Sequence, residues 1–437
     1  MGSMPESSSD MKVLVVGAGF GGLTAAIECR KRGMSVTLFE SSKERRQLGD
    51  IISFGSNSGR IFRSWPGVED ELDPVCHHSD GLTFRAFDDD FLCRQIWDAE
   101  ADWGKRFNGH RGEIHDIVWR HALSIGVEIR LGSKVQEYFE TDTEAGVVVN
   151  GERISADAVL AADGVRSLAR TIVLGFEDKP KSSGYAVYRS WMGTEKLKEN
   201  PLTAWLADPT IDHHVGWLGP DVHFLVATLQ KGTACSWVLT HKDEADVEES
   251  WSAPGYVEDA VKTVDGWAPI VHAIIRATPP ESLVDWKLVF RDPLPTWVSP
   301  KRRIALMGDA AHPFLPTSIQ GASQSMEDGV TAAICLELGG KNNVQEGLRA
   351  YEKIRYPRVL ATQRMGVTNR DNWHKADFNE VKKNPEMVKL PRQDWVLNFD
   401  CSKHAYDVYN ETVESLRKDP SWKPNPVLES EEYAYAK

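Results

Sequence analysis

The chain has 437 residues, 41% of them hydrophobic and 26% charged, an ordinary globular balance that allows a large core shared among two or three interleaved domains. Its 51 basic residues face 64 acidic ones, a net charge of −13, which argues against nucleic acid or an anionic membrane surface as the main partner, since both reward clustered Lys and Arg. Six cysteines lie scattered with no CxxC pair, no apolar run approaches the ~18 residues of a membrane helix, and residues 1–10 lack the apolar stretch of a signal peptide. These features predict free thiols, no membrane span and a cytoplasmic protein, with Met1-Gly2-Ser3 ahead of Met4 read as an added tag.

The first element, residues 12–16, is a short apolar run that reads as a buried parallel strand. A glycine-rich turn follows, then Leu23, Ala26 and Ile27 at helical spacing, a stop at Gly33 and a second strand over 36–39, which together make a strand–helix–strand unit. Val147-Val148-Val149-Asn150-Gly151 predicts a hairpin, because Asn-Gly suits left-handed turn positions. Residues 158–162 and 303–307 read as two more buried strands, each ending beside an acid and a glycine. Between them, residues 185–240 carry Tyr188, Trp191, Trp205, Trp217, Phe224 and Trp237 on short strands, the pattern of a separate, mostly antiparallel sheet. Residues 279–300, rich in Pro and Trp, read as a loop-rich return. Helical periodicity runs from 324 to about 367, and the tail from 394 reads as mixed and loosely packed.

Gly17-Ala18-Gly19-Phe20-Gly21-Gly22 fits GxGxxG between a strand and a helix. Gly17 permits the tight turn, Gly19 lets the backbone approach a pyrophosphate, and Gly22 lets helix and strand pack closely, while the helix N-terminus offers free N–H groups to phosphate. Glu40 closes the second strand, where a carboxylate can accept from ribose hydroxyls; a solvated surface Glu is the alternative. Asp163-Gly164 and Asp309 end the later strands, and singly each acid could be a helix cap. Together they point past NAD to an extended FAD, since ligands of open α/β sheets sit beyond the carboxyl ends of the strands.

These three ordered motifs resemble the single-component FAD-dependent aromatic monooxygenases, the salicylate hydroxylase and para-hydroxybenzoate hydroxylase group, and especially fungal natural-product members, over about residues 11–365. The resemblance implies an α/β fold with a Rossmann-like FAD-binding domain (11–75, 100–178 and 285–365), an interleaved, mainly antiparallel substrate domain (76–99 and 179–284) and a helical C-terminal region (366–437), with residues 1–10 outside the fold. It implies that Asp309 binds the ribityl side of FAD, that Asp163-Gly164 serves both FAD and a transient NADPH or NADH, that Arg111 reaches the cofactor and that Val135 lies by the adenine. The segment from Pro313 to Ala322, with Pro316, Gly321 and Ala322, matches the loop beside the flavin ring, where a helix N-terminus favours negative charge on reduced flavin. The implied reaction is oxygen transfer from a flavin hydroperoxide, made from NAD(P)H and O2, to an aromatic small molecule.

Two departures bear on the substrate. Gly49-Asp50-Ile51-Ile52 stands where relatives carry Gly-Ala-Gly-Ile, so Asp50 either meets the flavin or belongs to a surface loop. Ala227-Thr228 stands where a family segment often runs into Tyr-Pro; the tyrosine that helps ionise a phenol is missing. Substrates then divide into a phenol or polyketide aromatic to be hydroxylated and an alkaloid indole to be epoxidised. Tyr188-Arg189 is the catalytic candidate pair, by the resemblance on the strand facing the flavin; Arg189 either steers a substrate oxygen or pairs with a carboxylate on the strand. His77-His78 and His213-His214 lack metal-ligand spacing, so no metal is expected. The competing classes are a flavin-dependent dehydrogenase or reductase without oxygen insertion and a flavin-binding protein without turnover.

Overall fold

The computed structural model describes residues 10–45, 49–97, 103–243 and 254–426; residues 1–9, on which the tag reading falls, lie outside them. Lys12–Val16, four of whose five residues are buried, is the centre of a five-stranded parallel sheet. The sheet runs Ile304–Leu306, Ala158–Ala161, Lys12–Val16, Ser35–Phe39, Glu128–Arg130, every pair parallel. Strands so covered on both faces need no polar alternation, which is why these segments read as plain apolar runs. The glycine turn, Asp163 and Asp309 consequently leave adjacent strands at the same edge.

The helix Phe20–Lys31 lies against the helix Gly321–Gly339 at a spacing only glycine permits. A Cβ on Gly329 would come within 2.6 Å of the Ala25 nitrogen, and one on Gly21 within 3.1 Å of Ser325. The predicted hairpin joins Ala145–Val149 to Glu152–Ala156 through Asn150 (φ 52°) and Gly151 (φ 80°), the two positive dihedrals that a tight hairpin of this twist requires.

The second sheet has seven strands in the order Leu283–Phe290, Lys181–Gly193, Ala234–Lys242, Val222–Leu229, His214–Gly219, Gly81–Ala86, Phe91–Ile96. One face packs on its own core with the helix Pro269–Arg276, around Trp217, Phe224, Trp237 and Leu239. The other faces the parallel-sheet half of the molecule.

Three expectations are corrected. The stretch 279–300 is not all loop: Leu283–Phe290 is an edge strand of the seven-stranded sheet, so the domain boundary at 285 falls inside it. The helical periodicity read from 324 to about 367 resolves into two helices, Gly321–Gly339 and Val344–His374, separated by Gly340 at φ 66°, and the second runs through Pro357 and past the boundary at 366. The tail is firmly packed: the helix Cys401–Lys418 buries Cys401, Ala405, Tyr409, Val413 and Leu416, a stripe at steps of three and four, in the main core.

Candidate active site

A single cavity of about 1320 Å³ runs from the glycine turn, past the loop 313–322, to the inner face of the seven-stranded sheet. At its first end the backbone sets the shape. Gly17 sits at φ 96°, and a Cβ there would be 2.3 Å from the Ala162 carbonyl oxygen; one on Gly22 would be 1.9 Å from the Gly17 oxygen; one on Gly19 would meet nothing within 4 Å. The first two glycines allow the close approach of chain to chain, and the third leaves open room for a ligand above the helix N-terminus.

Glu40 lines the cavity and ties the turn to the second strand: its carboxylate accepts from the amides of Ala18 (3.0 Å) and Ser42 (2.8 Å). Burial pushes this carboxyl up, but the amides of Ser42 and Ala18 outweigh it and hold the group below the usual carboxylate value. Val135, Asp163, Gly164, Arg111, Asp309, Pro316, Gly321 and Ala322 also line this cavity.

Asp163 accepts through Oδ2 from the Tyr138 hydroxyl (3.0 Å) and the Leu168 amide (3.0 Å), while its buried Oδ1 has no partner among the described residues. Asp309 is half-buried on the cavity wall, and desolvation raises its carboxyl against the pull of His312, Arg111 and Arg170. Its backbone is pinned by Arg170, which donates to the carbonyls of Asp309 (2.6 Å) and Ala310 (2.8 Å). An acceptor left open at Asp163, an acid facing the cavity and open space above Gly19 fit an extended dinucleotide with ribose and ribityl hydroxyls.

The loop beyond Asp309 is held from behind. His312 meets Asp328 at 2.6 Å, the Gly308 amide donates to the same oxygen, and Arg355 donates to Asp328 (2.8 Å) and Glu327 (2.5 Å). Arg358 and Asn57 complete Glu327. Burial pushes the Glu327 carboxyl up, but Arg358 and Arg355 keep it below its usual value. The sequence reading missed this network; its signal is a Glu-Asp pair inside a helix with no other charge until Glu337.

The seven-stranded sheet presents three rows of side chains to the cavity. Register aligns Arg189 with Val238, Leu225 and Gly216; two residues along, Trp191 with Ser236, Ala227 and His214; and two residues the other way, Val187 with Thr240 and His223. Arg189 donates to both carboxylate oxygens of Asp50 (3.1 and 3.3 Å) and lies 4.9 Å over the Trp286 ring. Asp50 is therefore not on a remote surface loop, and the strand-carboxylate pairing weighed for Arg189 exists, inside the cavity.

Tyr188 is not brought to the site. A strand alternates its faces, so Tyr188 aligns with Leu239, Phe224 and Trp217 in the opposite core and stacks on His241 at 4.4 Å. The C-terminal region supplies wall residues that the sequence reading did not single out, among them Asn369, Trp373, Leu390 and Arg392.

Fold and site together define a flavoprotein oxidoreductase, with a dinucleotide cradle opening on a largely apolar chamber. The chain matches FAD_binding_3, described as the FAD binding domain, over residues 10–365. It is 37% identical over 434 residues to asperlicin C monooxygenase of Petromyces alliaceus, covering 96% of this chain and 93% of that protein. It is similar to the crystal structure of FqzB (TM-score 0.86, 37% identity, 97% of this chain and 98% of FqzB) and to that of CtdE in complex with FAD and a substrate (TM-score 0.88, 34% identity, 93% and 100%). The chain belongs to this FAD-binding family and is an FAD-dependent monooxygenase. Bound in the cradle, FAD supplies the redox chemistry by which two electrons from NAD(P)H reduce O2, one oxygen atom entering a small molecule and the other leaving as water. Among the described residues no helix is long and apolar enough to cross a membrane, and no group of His, Cys, Asp and Glu is arranged to hold a metal ion.

Proposed function

We propose that this monooxygenase oxygenates an aromatic, indole-bearing small molecule, by epoxidation or hydroxylation, with Arg189 steering the substrate oxygen. The observation that carries the reading is the chamber wall: Val187, Trp191, Leu225, Val238 and Trp286 line it around the Arg189 guanidinium, which Asp50 holds. Such a wall excludes water and takes a flat apolar ring, while a guanidinium keeps its charge and donates to oxygen as it becomes negative. Ala227, with Thr228 after it, stands where a phenol-ionising tyrosine would reach in, which favours an indole over a phenol.

In this reading Gly17, Gly19 and Gly22 receive the pyrophosphate, Glu40 a ribose, Val135 the adenine, and Asp163 and Asp309 the sugar and ribityl hydroxyls. Arg111, half-buried and within electrostatic reach of Asp50 and Asp309, lies on the ring side, and the N-terminus of Gly321–Gly339, which follows Pro316 and includes Ala322, stabilises charge on the reduced ring. NADPH or NADH docks transiently.

The test is a panel of phenols and cyclised or prenylated indoles, following substrate-stimulated NADPH oxidation under 18O2. Indoles should stimulate and acquire label, and Arg189→Gln should lower kcat by about 10²-fold while retaining FAD. Stimulation by simple phenols alone, or full oxygenation by Arg189→Gln, overturns the reading.

A further inference from the structure

The loop that opens the helix Gly321–Gly339 contains one strained residue. Ile319 lies at φ 53°, ψ 23°, a left-handed conformation that a β-branched residue rarely holds, with its side chain exposed on the cavity. Strain of this kind persists only where contacts fix the chain on both sides. After Ile319, Gln320 is fixed: its side chain accepts from Asn57 (3.0 Å) and its amide donates to the Ser318 hydroxyl (3.2 Å).

Before Ile319 the fixing comes from the helix Val344–His374. The Thr317 hydroxyl donates to the Gly366 carbonyl (2.7 Å), the Asn369 side-chain amide donates to the Thr317 carbonyl (3.1 Å), and Gln363 donates to the Pro313 carbonyl (3.0 Å). Glycine inside a helix is weaker than alanine, and at Gly366 the reason is contact: a Cβ there would be 2.8 Å from that of Ser318. Met365, Asn369 and Trp373, four residues apart on one helix face, all line the cavity. One helix therefore walls the chamber and grips the loop.

The grip matters because the loop leads straight into Gly321–Gly339. The amides of its first turn, among them those of Gly321 and Ala322 on the cavity wall, have no acceptor within the helix. A rotation of Ile319 into an ordinary conformation would redirect the chain that enters this turn, and the amides with it. We propose that Asn369, acting through Thr317, is a positioning residue that holds Ile319 left-handed and keeps these amides aimed at the flavin ring, which favours the reduced cofactor. The inference rests on the placement of the ring at this helix N-terminus, given above.

The test uses holoenzyme carrying Asn369→Leu and, separately, Thr317→Val, each of which removes one bond of the grip with little change of shape. Hydrogen exchange of the Ser318 and Ile319 amides, bonded to the Leu315 and Pro316 carbonyls (3.0 and 2.9 Å), should quicken about 10-fold, the weight of one hydrogen bond. The balance of reduced and oxidised flavin, read against a reference dye, should move about 10-fold towards the oxidised form, about 30 mV for two electrons. Adding Ile319→Asn, a residue that takes the left-handed turn readily, should recover about half of both changes. Unchanged exchange in both variants, or no recovery with Ile319→Asn, overturns the proposal and leaves the ring placement standing. Faster exchange at an unmoved potential removes the ring from the helix N-terminus, and the proposal with it.

Discussion

At the dinucleotide end of the cavity the backbone does the positioning, with Gly17 and Gly22 clearing contacts of 2.3 and 1.9 Å and strand ends delivering Asp163 and Asp309. At the substrate end, side chains on a pleated sheet do it, and a shift of one residue exchanges Arg189 for Tyr188, wall for core. In the first kind of site Gly17 and Gly22 tolerate no added methyl, and little else constrains the side chains. The second tolerates many side chains, provided the register holds. One end can thus stay fixed while the other is varied for a new substrate.

The largest effect that would break this contrast is at the cradle. Gly22→Ala places a Cβ on the Gly17 oxygen and should give a folded protein that purifies colourless and inactive; stoichiometric FAD in that variant would show that backbone fit is not what holds the cofactor. Next is the network behind the flavin loop. Arg355→Met leaves Glu327 and Asp328 short of a buried partner and should cost about 3–5 kcal/mol in denaturant unfolding, with FAD content falling in step.

Acid sharpens the comparison at the histidines. His77, His115, His214 and His223 are all lowered from 6.5, chiefly by burial, so below that value the unfolded chain takes up protons that the folded one refuses. Their contribution is complete above pH 6.5 and is lost as pH falls towards their folded values. The melting temperature should therefore decline already between pH 6.5 and 5.5, before carboxylates titrate; a flat profile there contradicts it. The smallest effect is at Tyr188. Tyr188→Phe removes a core-side hydroxyl beside Asp285, its titration raised by burial and by that charge, and should cost about 1 kcal/mol or less, with kcat unchanged within 2-fold.

Much of the first end was legible because backbone requirements leave a local trace. Asn150-Gly151, GxGxxG and an acid after each buried strand announce themselves within a few residues. The edge strand Leu283–Phe290 was hidden among prolines and tryptophans, and the break at Gly340 was masked by continuous helical periodicity. Arg189 was marked by sequence but with two readings open. Its partner is Asp50, 139 positions away, and no local pattern could pair them.

The amino-acid sequence alone determined the parallel-sheet frame, the turn that receives a dinucleotide and the acids at its strand ends, because these depend on φ angles, chain spacing and apolar runs that act over short distances. Tertiary structure decided the chamber: which face of each antiparallel strand turns inward, that Asp50 meets Arg189, and that the C-terminal region closes the wall. Those are consequences of register and packing between segments remote in the chain, where cross-strand neighbours, not sequence neighbours, set each side chain's surroundings.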